Sequence, residues 1–398
     1  MNAEKKRLNY LDGLRGIMSI NVVLCHFVCG FYPQMYKASA GTGDFLSYFG
    51  STPLNVFVNG NIAVMYFFML TGFLVSLSVI KYEHSFAVVR KKIANRYLRL
   101  IPIVAAATIF TYITMKAGLQ YHLDILGKSN SLSFFKDYCN FDPSIKTVIT
   151  TIFYWTFKEG NDFVGPFWTI KYELVGYVII LVMTVILRKS KLRRIVMLCS
   201  VWFLSGNYIA FVFGGLVADI CFSEDETLFS KYYSKIIISK AFLAFCFVVG
   251  LFFACCPMRF SSFYSVFEKI DFKLVTPGVF RAVGITMLTY VIINCGLMQR
   301  FLENRIFMFL GKISFSTYAF HWPLILTFTC GFFKIFIEKM SYDKAALLAF
   351  AITLPVIIGV AYISWYFIEN KVKCDIDAIE ELIGKIKKKV WSVTEKRT

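Results

Sequence analysis

The chain has 398 residues, of which 57% are hydrophobic, 18% are aromatic and only 17% are charged, and its mean hydropathy is +0.61. Soluble domains are about 45–50% apolar and about 25% charged, so this composition argues against an ordinary soluble protein and indicates a bilayer protein. The net charge of +18 comes from 43 Lys and Arg against 25 Asp and Glu. These basic residues cluster between apolar segments, which indicates membrane topology and gives no reason to expect nucleic acid as a partner.

The apolar segments divide the chain into predicted spans, since a transmembrane helix needs about 20 apolar residues. The first run follows a basic N-terminus, as in a signal peptide, but Asp12 and Arg15 interrupt it and the small-residue triplet 38–40 lies well past its end. We therefore expect a retained first span. The segment 195–220 fits either one long helix or two short helices in a hairpin. Further spans are expected at about 60–80, 100–118, 166–187, 236–256, 282–302, 313–334 and 344–368.

Loop charges decide between these alternatives. The 81–99 loop carries six basic residues and one acid, and the 188–194 loop carries five basic residues and no acid. The positive-inside rule places both loops, the N-terminus and the lysine-rich tail in the cytoplasm. Two cytoplasmic ends require an even number of crossings, so 195–220 is predicted to form two short spans. This predicts an all-α integral membrane fold of about ten transmembrane helices, with the acidic 224–226 loop inside.

Two further segments are predicted not to span the membrane. Residues 147–157 are apolar but short, and we expect a partly inserted element on the outer side. Residues 376–391 place apolar side chains at helical spacing with lysines between them, which is typical of a helix on the inner membrane surface, with a solvated tail as the alternative. The predicted domains are therefore a transmembrane domain, 1–370, and a basic amphipathic cytoplasmic tail, 371–398.

Polar residues inside the first span form one helical stripe. A charge in a transmembrane helix costs roughly 2.5–3.5 kcal/mol, so such residues indicate function by default. Asp12, Arg15, Ser19 and His26 share one face, on which Asp12 can pair with Arg15. Arg15 and His26 are eleven residues apart, about 16 Å along a helix. In the functional interpretation, Arg15 binds an anion near the inner surface and His26 is a general base deeper in the membrane. In the structural interpretation, Arg15 reaches the lipid headgroups and His26 forms a hydrogen bond to a neighbouring helix.

Charged residues also mark the third and fourth spans. Arg96 and Arg99 lie one turn apart where the third span begins, and they either hold phosphates or only follow the positive-inside rule. Trp168 is expected to anchor the outer interface of the fourth span, with Lys171 and Glu173 close behind it. Glu173 is a functional candidate or a structural ion-pair partner.

A second buried histidine, His321, follows Tyr318 and precedes the helix-kinking Pro323. The two intramembrane histidines lack the spacing of metal ligands, so no metal is predicted. Most of the eleven cysteines lie in apolar runs, where thiols pack as small hydrophobic groups. The sequence contains no phosphate-binding or dinucleotide-binding glycine motif and no Gly-x-Ser-x-Gly.

The motifs that hold these residues occur together in a known order. The chain resembles the acyltransferase family 3 membrane proteins, which O-acylate extracytoplasmic polysaccharides, lipid-linked sugars and some small molecules. The segments that carry the resemblance are Leu11–Gly16 with His26, Phe67–Leu74, Asn95–Pro102, Pro166–Glu173, Gly311–Pro323 and Phe367–Glu369.

The resemblance implies a ten-span fold, cytoplasmic acyl-CoA and an extracytoplasmic acceptor. It makes His26 the catalytic histidine, Arg15 the basic residue paired with it, and Arg96 and Arg99 the arginines of a basic motif. Asn95 stands where the family usually has a further arginine, and Glu173 stands alone where it often has two adjacent acids. The esterase-like domain of many bacterial relatives has no counterpart here.

The resulting hypothesis is an acyl-CoA-dependent O-acyltransferase of the cell (plasma or inner) membrane. It would transfer acetyl from acetyl-CoA to a hydroxyl of an extracytoplasmic or lipid-linked carbohydrate among membrane lipids, with His26 as general base and no bound cofactor. A sugar or lipid exporter that uses the same buried charges is the principal alternative, and a thioesterase is a lesser one. The predicted catalytic residues are His26, Arg15 and Glu173; the donor-binding residues are Arg15, Arg96 and Arg99; and the acceptor-side or structural residues are Trp168, Lys171, Tyr318 and His321.

Overall fold

The computed structural model describes residues 8–36, 45–82, 85–130, 132–204, 206–223, 239–257, 260 and 262–372, and the regular secondary structure within them is helical. The principal helices are α1 (Asn9–Phe31), α2 (Gly60–Lys81), α3 (Phe86–Lys116), α4 (Trp168–Leu187), α5 (Gly206–Phe222), α6 (Lys240–Ala254), α7 (Pro277–Asn294), α8 (Arg305–Lys312), α9 (Ser314–Leu324) and α10 (Tyr342–Ser364).

Seven of the described helices are long and apolar enough to cross a membrane, namely α1, α2, α3, α4, α7, α9 and α10. α9 reaches this length because it continues through a π-helical segment, Ile325–Thr329, to Phe336. α5 and α6 are shorter apolar helices. The predicted all-α integral membrane fold is confirmed, whereas the count of ten stays a prediction, because 224–238 lie outside the described residues.

Two helix boundaries differ from those expected. α3 begins at Phe86 and has 31 residues, about 46 Å, so Arg96 and Arg99 lie within the helix. The span expected at 282–302 instead runs from Pro277 to Asn294. The reason is local: Thr276 caps the helix by accepting from the Val279 amide, and a proline in the first turn needs no amide partner.

Close backbone contacts fix the arrangement of α1. A Cβ added to Gly16 would lie 2.4 Å from the Phe307 carbonyl oxygen of α8, and one added to Gly311 would lie 2.0 Å from the Asp12 carbonyl oxygen. Small residues let membrane helices approach in this way. The glycines of the first and fifth motifs therefore lock α1 against α8, which fixes how the stripe of Arg15 and His26 is presented.

The segment 193–222 folds back on itself. A short helix, Arg193–Ser200, precedes α5, and the Nε atoms of Arg193 and Arg194 each lie 2.6 Å from a carboxylate oxygen of Asp219 near the end of α5. The segment thus begins and ends at the same level, as two short helices in a hairpin rather than one helix. The acidic 224–226 loop and the 376–391 segment lie outside the described residues.

The chain between α3 and α4 runs back along α3. A helical element, Ile145–Thr150, continues through a π-helical segment, Thr151–Trp155, to Lys158. The Asn161 amide then donates to Thr108 Oγ1 at 3.0 Å. Thr108 lies eight residues before the end of α3, about 12 Å along the helix. This is the geometry that a partly inserted element requires, and the insertion itself stays a prediction.

Cysteine labelling can test whether the hairpin crosses the membrane. In a variant without the exposed native Cys199, we expect Phe203→Cys at the hairpin turn to react in intact cells with an impermeant thiol reagent. Ser190→Cys, in the basic loop, should react only after permeabilisation. Phe203 is 83% exposed, so its replacement should leave the fold intact. Labelling of both cysteines from the same side would show that the hairpin does not cross, and the ten-span topology would be wrong.

Candidate active site

The two intramembrane histidines meet in the structure. His26 Nδ1 lies 3.2 Å from His321 Nε2, and the ring centroids are 4.8 Å apart. His321 is completely buried, while His26 is partly accessible. Among the described residues, no third histidine, cysteine or carboxylate joins them in a group that could hold a metal ion. α1 and α9 therefore create an imidazole pair from residues 295 positions apart.

Backbone carbonyls determine which ring nitrogens carry protons. His321 Nδ1 lies 2.7 Å from the Tyr318 carbonyl oxygen, and His26 Nδ1 lies 2.9 Å from the Val22 carbonyl oxygen. A carbonyl oxygen only accepts, so each neutral ring is assigned its proton on Nδ1. The single N–H on His26 Nδ1 is then shared between the Val22 carbonyl oxygen and His321 Nε2, and His26 Nε2 is left with a free lone pair. That nitrogen is the one a general base would use.

Aromatic side chains enclose His26. The Trp322 ring lies edge-on at 5.4 Å, and Phe134 and Tyr138 pack against Trp322 at 5.2 and 4.9 Å. Phe134 and Tyr138 belong to the segment between α3 and α4. The indole Nε1 of Trp322 is buried and has no hydrogen-bond partner within the described residues. A buried unpaired donor costs about 1–3 kcal/mol, so this N–H is a candidate for a substrate contact.

Polar side chains continue from the imidazole pair to α4. The Tyr318 ring lies 5.9 Å from the His321 ring, and its hydroxyl lies 2.6 Å from Thr169 Oγ1. The same hydroxyl donates to the Pro166 carbonyl oxygen. Thr169 precedes Glu173 by one helical turn, so a line of polar groups reaches from His26 to Glu173.

Glu173 and Arg96 form one interior ion pair. An Arg96 Nη atom donates to Glu173 Oε1, which also accepts from Thr71 Oγ1 at 2.8 Å. The Arg96 guanidinium lies over the Tyr177 ring at 5.4 Å. The sequence suggested Arg96 for the donor and Glu173 for catalysis, and the structure joins them across α2, α3 and α4. A carboxylate in apolar surroundings needs such a partner.

The neighbouring Arg99 behaves differently. Although Arg96 and Arg99 lie one turn apart, Arg99 is exposed. Of the two arginines expected to hold donor phosphates, Arg96 is engaged by a carboxylate in the interior. Arg99 thus fits a role in contact with solvent.

Arg15 lies in a second polar group, toward the start of α1. Its Nη1 is 3.3 Å from Asp12 Oδ1, which confirms the predicted pair. Glu369 lies in the π-helical segment Trp365–Glu369 that follows α10, and it accepts from Ser316 Oγ of α9. Glu369 is not among the site residues predicted from the sequence. Its position in the last motif, beside an apolar span, was the available signal.

The predicted acceptor-side residues of α4 lie apart from the histidines. Trp168 is 38% exposed, and its ring lies 5.7 Å from that of Tyr172. The ammonium of Lys171 lies 5.2 Å from the same Tyr172 ring. These contacts bring Trp168 and Lys171 together at the start of α4. Their role toward an acceptor stays a prediction.

The partly buried Arg96–Glu173 pair is expected to stabilise the protein more than an exposed ion pair does. Glu173→Gln and Arg96→Ala should each lower the free energy of unfolding by about 1–3 kcal/mol, because each leaves a charge without its partner. Lys116→Ala, which removes one partner of the exposed Lys116–Asp142 pair, is the matched control and should cost at most about 1 kcal/mol. Thermal unfolding in detergent would measure this. Equal stability of all three variants would assign Glu173 a purely functional role.

Comparison with known proteins agrees with this geometry. A family model described as an acyltransferase domain matches residues 8–368. Acyltransferase R4 from a Phoma species is 23% identical over 422 aligned residues, which cover 89% of this chain and 90% of the relative. No solved structure matches the chain. Because the family model covers α1 to α10 and every residue of the candidate site except Glu369, the chain is an acyltransferase of acyltransferase family 3.

Proposed function

We propose that this membrane acyltransferase takes its acyl group from acyl-CoA, with acetyl-CoA as the first donor to test. The acceptor would be a hydroxyl of an extracytoplasmic or lipid-linked carbohydrate, and the protein would act in the cell membrane. The observation that carries the proposal is the His26 ring, whose Nδ1 is held by Val22 and His321 and whose Nε2 keeps its lone pair.

His26 acts as general base in the proposed mechanism. Nε2 takes the proton of the acceptor hydroxyl as its oxygen attacks the thioester carbonyl. The CoA thiolate then leaves, and the imidazolium returns the proton to it. Transfer through a transient acyl-histidine also begins from a neutral Nε2, so the tautomer is compatible with both routes.

Groups around His26 support this chemistry. His321, fully buried and bonded to His26, would hold the ring in orientation and is a positioning residue. The unpaired Trp322 N–H would donate to the oxygen that becomes negative in the tetrahedral intermediate. The aromatic faces beside it also suit the apolar side of a sugar ring.

The donor would approach from the side predicted to be cytoplasmic. Arg15 and His26 are eleven residues apart on one face of α1, about 16 Å, so a thioester chain could extend along this helix while Arg15 and Arg99 hold charged groups below. Arg96, which is paired with Glu173, would help to shape the path of the donor between the level of Arg15 and the level of His26. The exporter alternative uses the same buried charges but gives no role to a histidine with a prepared Nε2.

The base hypothesis predicts a specific pattern of activity. His26→Gln should lower turnover of acetyl-CoA with a hydroxyl acceptor by about 10²–10⁴-fold at normal thermal stability, because glutamine cannot take up the proton. His321→Gln should have a smaller effect, since it only positions His26. His122→Gln changes another buried histidine, one that bonds the Tyr138 carbonyl, and should stay within a few-fold of wild type. Near-normal turnover in His26→Gln would exclude the mechanism and favour the exporter.

The donor hypothesis predicts a separate kinetic effect. Arg99→Ala should raise the KM for acetyl-CoA roughly ten- to hundredfold at similar kcat, since a charge-assisted phosphate contact is worth about 1.5–3 kcal/mol. Arg90→Ala removes an exposed arginine from the same helix and serves as the control. An unchanged KM for acetyl-CoA in Arg99→Ala would show that this arginine only follows the positive-inside rule.

A further inference from the structure

A basic cavity lies outside the candidate active site. It has a volume of about 860 Å³ and opens among the ends of α2, α4 and α5 and the loop after α4. None of the histidines, arginines or carboxylates assigned above to acyl transfer lines it. Its charged lining residues are Lys81, Arg188, Lys189, Lys191, Arg193 and Asp219.

Among the described residues that line this cavity, positive charge predominates. Five cations face one carboxylate, and both oxygens of Asp219 already accept from Arg193 and Arg194 at 2.6 Å. Asp219 therefore cannot neutralise the other cations. The hydroxyls of Ser76 and Thr184, which lie 3.0 Å apart, also line the cavity, beside apolar side chains such as Ile80 and Met197.

Membrane topology alone does not explain this arrangement. The positive-inside rule requires basic residues in a loop, but it does not require them to converge on a shared cavity. Lys81 ends α2, far earlier in the chain than the 188–194 loop, and the fold brings it to the same cavity. The volume falls within the roughly 300–1,000 Å³ of ordinary ligand pockets.

We propose that this cavity binds the phosphate group of an anionic ligand. Arginine and lysine are the usual protein donors to phosphate, and basic pockets between transmembrane helices bind anionic lipid headgroups. The phosphate could belong to a lipid headgroup or to the nucleotide end of acyl-CoA. The second source rests on the proposed function, and the first does not.

Binding assays on the purified full chain distinguish these sources. The probes are phosphatidic acid in phosphatidylcholine nanodiscs, CoA, and dephospho-CoA. We expect the double variant Lys189→Ala/Lys191→Ala to weaken binding of one probe class about thirtyfold. Arg300→Ala/Arg305→Ala removes the same charge from exposed positions that do not line the cavity, and it should change binding less than about threefold. Lys189→Arg/Lys191→Arg should retain binding.

Each outcome bears on the proposal. Loss of phosphatidic acid binding alone identifies a lipid site. Loss of CoA binding, with dephospho-CoA bound weakly by wild type, identifies a site for the CoA 3′-phosphate. Binding of neither probe class, or equal weakening in cavity and control variants at equal thermal stability, overturns the proposal. Acetyl-CoA turnover of the wild type, measured in parallel, separates this failure from a failure of the proposed function.

Discussion

This structure depends on one constraint: each buried polar group needs a hydrogen-bond or charge partner within the protein. In an apolar interior, water does not satisfy a charge or an N–H group, so the chain must supply the partner. Arg96 meets Glu173, Arg193 meets Asp219, and His26 meets His321. Each contact joins different helices, so the polar groups help to set how the helices are arranged. Small residues such as Gly16 then allow the backbones to approach.

The same constraint sets the tautomer of His26. An imidazole free in water exchanges its proton between both nitrogens, whereas a buried imidazole takes the tautomer that its neighbours accept. The Val22 carbonyl and His321 both face Nδ1, which leaves Nε2 as the basic atom. The orientation of the ring follows from helix packing. Trp322 is the exception, since its N–H lacks a partner among the described residues.

Positive charge in this protein has more than one physical role. Arg96 stabilises a carboxylate inside the helix bundle, while Arg99, one turn away, stays in contact with solvent. The 188–194 loop, which is predicted to face the cytoplasm, lines a cavity together with Lys81. The sequence pattern was the same in each case, a basic residue beside an apolar span. The difference lies in which neighbour the fold places opposite each cation.

Composition, loop charge and motif order alone indicated the membrane class and the family, because these depend only on which residues follow one another. The hairpin at 193–222 also followed from counting charges. Tertiary structure alone decided that His26 contacts His321, that Arg96 pairs with Glu173, and that Glu369 bonds Ser316. Helical periodicity gives the face on which a residue lies, but the partner on that face comes from helix packing between distant segments.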